Sequence, residues 1–228
     1  MIQLPAALGL ADVAAVVLHL AAWIGVGWLV ANPQGGRVSV AVLMEEHRRN
    51  WMREFLTRQP RIMDGALLGM LSQSASFFAS ATMIAIGGGL ALIGNPETVA
   101  RAAEEVVPGL LPELVWQIKL ALALLLVVNA FLRFVWAHRL FGYCAVLMGA
   151  VPNDASHPEA MGLAMKAAEI NIHAARNFNA GLRAVYFAIG ALAWLAGPLA
   201  LTLATAAVLW TTWRREFASG SRRALLRR

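Results

Sequence analysis

The chain has a single cysteine, Cys144, in 228 residues, and only 14% of its residues are charged. One thiol excludes an intrachain disulfide and any cysteine cluster for a metal. The shortage of charge argues against an ordinary soluble domain, in which about a quarter of residues are Asp, Glu, Lys or Arg. Histidine is scarce in the wrong way for metal or haem. No HxxxH or HxxE spacing occurs, and only His19 lies deep in an apolar run, so a bis-histidine haem has no second ligand facing it. Gly87-Gly88-Gly89 sits inside an apolar stretch with no Lys-Ser/Thr after it, which excludes a phosphate-cradling loop. No folded nucleic-acid-binding module is present. No cofactor and no metal are expected, and no catalytic residues are identified.

What the chain does have is apolar length: 59% hydrophobic residues and a mean hydropathy of +0.62. A transmembrane helix needs about 20 apolar residues. Four stretches qualify, at residues 8–31, 64–94, 115–137 and 184–212. The first does not read as a cleavable signal: no Lys or Arg precedes it, the run is too long, and Trp28 stands where a small residue would be needed. The expected fold is an all-α, integral membrane four-helix bundle forming one domain over residues 1–228, ending in a basic tail at 214–228. Trp28, Trp116, Trp136, Tyr186, Trp210 and Trp213 fall near span ends, as an aromatic belt requires.

Two connections carry amphipathic helices, expected on the same side. Over residues 39–58, Val40, Met44, His47, Trp51 and Phe55 recur on one face, while Arg48, Arg49 and Arg53 fall elsewhere. Such a helix suits either the headgroup plane, with Trp51, Arg48 and Arg49 interfacial, or the end of the bundle. Over residues 157–176, Ser156 to Glu159 reads as a capping box and Ala160, Leu163, Ala164 and Ala167 make the apolar face. Asn177 to Gly181 reads as the corner into the last span, and 95–112, with Glu97, Glu104 and Glu105, as an acidic loop.

Lys and Arg accumulate in cytoplasmic loops. The first connection holds Arg37, Arg48, Arg49, Arg53, Arg58 and Arg61, and the third holds Arg139, Lys166, Arg176 and Arg183, which places both inside. The tail, with Arg214, Arg215, Arg222 and Arg223, then falls on the wrong side for four spans. Three or five crossings would remove the conflict, but the best extra candidate, 140–151, is too short.

Small residues form stripes in the second span (Gly65, Gly69, Ser72, Ser76) and the fourth (Gly190, Gly197), where helix backbones are expected to approach within one chain or between subunits. Pro198 is expected to kink the fourth span. Polar groups inside a span are costly unless paired. Depth matching pairs Asp12 with Lys119, sets Asp64 opposite Arg133 and Arg183, and gathers His19, Gln73, Asn129 and Arg133 into one layer, read as a buried hydrogen-bonded layer or a hydrated path.

Four runs carry a resemblance: 46–52 with 61–64, 74–80, 131–136 and 174–183. Together they resemble an integral membrane family of bacteria and plants, the one catalogued as domain of unknown function five-nine-nine. The resemblance implies a four-span membrane protein and no known activity. It also directs attention to the basic Trp51 helix and the segment from Arg176 to Arg183, expected to dock on each other at the cytoplasmic rim. The expected function is a non-enzymatic, multi-pass subunit of the bacterial inner membrane, assembling with itself or within a larger complex. The alternative is a channel or transporter. Its expected partners are the bilayer, anionic headgroups near the tail, and other protein subunits.

Overall fold

The computed structural model describes residues 8–33, 37–95, 97 and 112–227. Within them lie α1 (Leu10–Ala31), α2 (Val40–Thr57), α3 (Ile62–Gly94), α4 (Glu113–Ala150), α5 (Ala160–Leu192), a 3-10 turn (Ala193–Ala196), α6 (Pro198–Phe217) and α7 (Gly220–Leu226). Four stretches are long and apolar enough to cross a membrane: α1, α3, α4 and Ala160–Ala196. In hydrocarbon every backbone polar group must be satisfied within its own segment, which is why such runs become helices. The protein is an all-α membrane bundle. Of the expected acidic loop, residues 96 and 98–111 lie outside the described residues.

The helices are longer than a bilayer requires. α3, α4 and α5 have 33, 38 and 33 residues, or about 50 to 57 Å at 1.5 Å per residue, against about 30 Å of hydrocarbon. They run alternately up and down. On α3 and α4, Ser72 meets His138 and Gly89 meets Leu124; on α4 and α5, Cys144 meets Ala167 and Arg133 meets Asn177. α1 sets the level of one half, because Asp12 near its start bonds Trp194 and Val30 near its end shares a cavity wall with Arg133. The three long helices therefore project beyond α1 at one end.

Each half has its own core. The half containing α1 packs Ala15, Val26, Leu122, Leu126, Phe187 and Leu201. In the projecting half, Met52 and Phe55 of α2 join Leu68, Phe141, Cys144, Ala164 and Ala168. Ala130, Phe134 and Ala184 form the seam, with Phe78 and Phe178 against them. α2 starts where Ser39 accepts the Val42 amide and donates to the Val30 carbonyl. It then runs antiparallel to α5, since Glu45 bonds Arg176 while Arg49 bonds Glu169. α2 thus thickens the projecting half, with Glu46, Asn50, Arg53 and Glu54 on its exposed face and Arg48 and Arg49 turned toward α5.

Two expectations fail for related reasons. First, α5 is unbroken through Asn177 to Gly181, so the helix expected over 157–176 and the start of the last span are one helix. Gly181 makes no corner. A Cβ there would lie 2.7 Å from the Phe134 ring, so the glycine serves close packing. The capping box at Ser156 is also absent: Asp154 takes both the amide and hydroxyl of Ser156, and Glu159 sits at the N-cap without a side-chain bond.

Second, residues 184–212 form two helices. The break falls at Gly197, whose φ of 109° suits glycine, and Pro198 opens α6 where its missing N–H costs nothing. Proline starts a helix here and kinks none. α6 returns antiparallel to α5, as Tyr186 meets Arg215 and Gly190 faces Val208. It runs parallel to α1 from end to end, since His19 meets Thr205 and the Ala41 amide meets Glu216. The basic tail consequently finishes beside the first connection, with the Arg222 guanidinium on the Val38 carbonyl at 2.9 Å. Three basic segments share one end of the molecule, which removes the charge conflict that a single fourth helix creates.

Candidate functional site: an arginine-lined rim

The polar layer expected from depth matching does not assemble. His19 is fully buried, but its Nδ1 lies 2.7 Å from the Thr205 hydroxyl and its Nε2 lies 3.0 Å from the Phe187 carbonyl. That carbonyl can only accept, so Nε2 carries a proton and a neutral ring leaves Nδ1 to accept from Thr205. Gln73 is exposed on α3, Asn129 is half-buried with no side-chain hydrogen bond among the described residues, and Arg133 is exposed. The reason is topological. The α5–α6 hairpin supplies His19 with both partners, so Gln73 and Asn129 are left out.

The two expected ion pairs are also rearranged. Asp12 accepts from the Trp194 indole at 2.7 Å, and buried Lys119 lies over the faces of Trp194 and Trp116 at 5.9 and 5.3 Å. One indole thus joins the two charges, with no direct ion pair between them among the described residues. Trp116, expected as a belt residue, is 2% exposed for the same reason. Asp64 is fully buried and its partners are local: Trp51 donates at 2.7 Å and Arg58 sits on the same oxygen. The turn at Gln59-Pro60 brings Arg58 back over the start of α3. Arg183 is elsewhere.

The small-residue stripes divide. Gly190 packs tightly, its missing Cβ facing Val208 and His19 at 3.3 and 3.4 Å, whereas Gly197 belongs to the turn. On α3 nothing lies within 4 Å of a Cβ at Gly65 or Gly69, Ser72 bonds His138 at 3.1 Å, and Ser76 is exposed. Trp51 points inward to Asp64, Arg48 bonds Asn171, and Arg49 bonds Glu169 at 2.7 Å. Burial lowers the affinity of Arg48 for its proton, while the Glu169 carboxylate raises that of Arg49.

What forms instead lies at the junction of the two halves. A cavity of about 190 Å³ is walled by Arg133 of α4, Arg176, Asn177, Asn179 and Arg183 of α5, the start of α2 with Glu45, and the end of α1. Arg176 grips Glu45 through two nitrogens at 2.7 and 2.8 Å. Arg133 donates to the Asn177 carbonyl oxygen at 3.1 Å. The signal was in the spacing: Arg176, Asn179 and Arg183 stand at i, i+3 and i+7, one face of a continuous helix. Reading a corner through Asn177 to Gly181 conceals it. Among the described residues no group of three His, Cys, Asp or Glu gathers as for a metal.

Four stretches of helix long and apolar enough to cross a bilayer define a multi-pass α-helical membrane protein. Residues 14–221 match the family described as "Protein of unknown function, DUF599", and the chain belongs to that family. No curated protein and no solved structure matches it.

Proposed function

We propose that this is a non-enzymatic membrane protein of the bacterial inner membrane that works by assembling with a second copy of itself, with the α2 half in the cytoplasm. The observation that carries this reading is the outer face of α3 and α4 in the projecting half. Met63, Met70, Phe77 and Val146 are 62%, 65%, 67% and 72% exposed there, although α2 on the other side presents a charged face to water. In a half that this reading sets outside the bilayer, apolar patches of this kind mark association surfaces. In the same half a groove of about 510 Å³ runs between α3 and α4, bordered by Gly65, Gly69, Gly142 and Gly149. Met63, Met70 and Phe77 lie round α3 from the groove, whereas exposed Val146 flanks Gly142 and Gly149 on α4, so a second copy's α4 can set that side chain against the glycine-lined groove. The basic first and third connections and the basic tail, all at this end, support the cytoplasmic assignment.

The other expected reading, a polar path for ions, draws no support from His19, whose two ring nitrogens are both taken within the protein. The test is the mass of the complex extracted gently from its native membrane, compared with Gly69→Leu and Gly142→Leu. Assembly predicts a dimer that both leucines dissociate. A monomeric parent, or a mass that neither substitution changes, refutes it.

A further inference from the structure

We infer that the rim cavity between α1, α2, α4 and α5 is a binding site for a phosphate-bearing anion, with Arg133 and Arg183 as its principal ligands. Three guanidiniums line this cavity and only one carboxylate does, Glu45, which Arg176 already holds through two bonds. Arg133 has an amide oxygen as its partner, and Arg183 has no hydrogen-bonded partner among the described residues. Glu216 lies outside the cavity lining, accepts the Ala41 amide at 3.1 Å and offsets part of the Arg183 charge from a distance without bonding to it. Exposed Arg133 and half-buried Arg183, on adjacent helices, repel each other, and an anion between them relieves that repulsion.

The remaining walls fit the same occupant. The half-buried Asn179 amide has no side-chain hydrogen bond among the described residues and offers donors. The first turn of α2, with Val42 on the cavity wall, contributes the positive end of its helix dipole. Val30, Ala31, Ala41 and Ala180 form an apolar side, suited to the carbon skeleton of a lipid's glycerol backbone. Guanidinium forks match phosphate oxygens bidentately, and basic pockets between transmembrane helices on the cytoplasmic side are recurrent headgroup sites. The cavity lies level with the end of α1, which is where a bilayer places its phosphates. A lipid headgroup and a soluble phosphate share this chemistry, and the experiment separates them.

Full-length protein and the R133Q/R183Q variant are reconstituted in phosphatidylcholine with phosphatidylglycerol, re-extracted, and their retained lipids measured by native mass spectrometry. In parallel, thermal unfolding in detergent is followed with inorganic phosphate against chloride at equal ionic strength. Retention of phosphatidylglycerol that falls at least about tenfold in the variant identifies a headgroup site. A phosphate-dependent rise in Tm seen only in the parent, without lipid retention, identifies a soluble ligand. Equal behaviour of parent and variant in both assays overturns the site. So does an equal loss in Arg223→Gln, which lies at the same end but outside the cavity, because that is general surface attraction. Should R133Q/R183Q fail to fold, Asn179→Asp places a carboxylate in the cavity and must weaken the anion in the same way.

Discussion

Gly181→Ala should destabilise the protein although it replaces a glycine in the middle of a helix. The added methyl would lie 2.7, 2.9 and 3.0 Å from three atoms of the Phe134 ring, where carbon atoms prefer about 3.5 to 4.0 Å. The ring has nowhere to go. It is fully buried, stacked on Phe78 at 5.3 Å and held edge-on by Phe178 at 5.5 Å. Overpacking of this kind costs about 1 to 3 kcal/mol, against about 0.5 to 1 kcal/mol gained when alanine replaces glycine in a helix. Mid-range values leave a net loss of about 1 kcal/mol, with an upper limit of about 2.5 kcal/mol, or a Tm lower by about 2 to 4 °C and at most about 10 °C for a chain of this size. Thermal unfolding in a mild detergent reads it directly. Gly25→Ala in α1, where nothing lies within 4 Å of the new methyl, should leave Tm unchanged or slightly raised. Trimming the obstacle with Phe134→Leu should reduce the penalty of Gly181→Ala, a coupling that a double-mutant cycle measures. A Gly181→Ala protein as stable as its parent would refute the close approach of α4 and α5 at the seam.

Thr205→Val should cost about 1 to 2 kcal/mol in the same assay, because it leaves the buried His19 Nδ1 without its hydroxyl partner; an unchanged Tm would mean that α6 does not pack on α1 as described. In a Cys144→Ser background, Ser221→Cys and Glu54→Cys should react with an impermeant maleimide from one side of sealed vesicles and Asn95→Cys from the other, and labelling of Ser221→Cys together with Asn95→Cys would disprove the return of α6. Asp154, which accepts the Ser156 hydroxyl and amide, is held below the ordinary aspartate range by those bonds. Its contribution to the α4–α5 turn is therefore complete above pH about 4 and is lost as pH falls through the lowered value, so protection of the Ser156 amide from exchange should fade only in strong acid and lose that pH dependence in Asp154→Asn.

Much of the architecture is legible without coordinates. The apolar runs at 8–31 and 115–137 can only be helices, because lipid offers no partner for an unpaired peptide group. The alternation of basic and apolar residues after Ser39 determines α2 but only part of its packed face, since Met44 and His47 are exposed while Glu45 is buried, and the Arg-rich first and third connections mark one end of the molecule. The docking of that helix on the Arg176 segment is an expectation of the family resemblance, and Glu45 meets Arg176 there as two nitrogens to two oxygens.

Partners and turns are a different matter. Asp64 could be assigned to Arg183 by depth or to Arg58 by proximity, and only the path of the chain through Gln59-Pro60 selects the second. In the sequence Gly181 reads as part of a corner and Gly197 as part of a packing stripe, and the structure exchanges those roles. One is a contact and the other a reversal, because what a glycine permits depends on what stands opposite it: the Phe134 ring from α4 in the first case, and in the second the need to carry α6 back beside α1. Those opposing surfaces come from segments tens of residues away. The composition therefore determined a membrane protein of helices, and tertiary packing alone decided that the last apolar stretch is a hairpin, that the basic tail rejoins the other basic segments, and that three arginines meet at the rim.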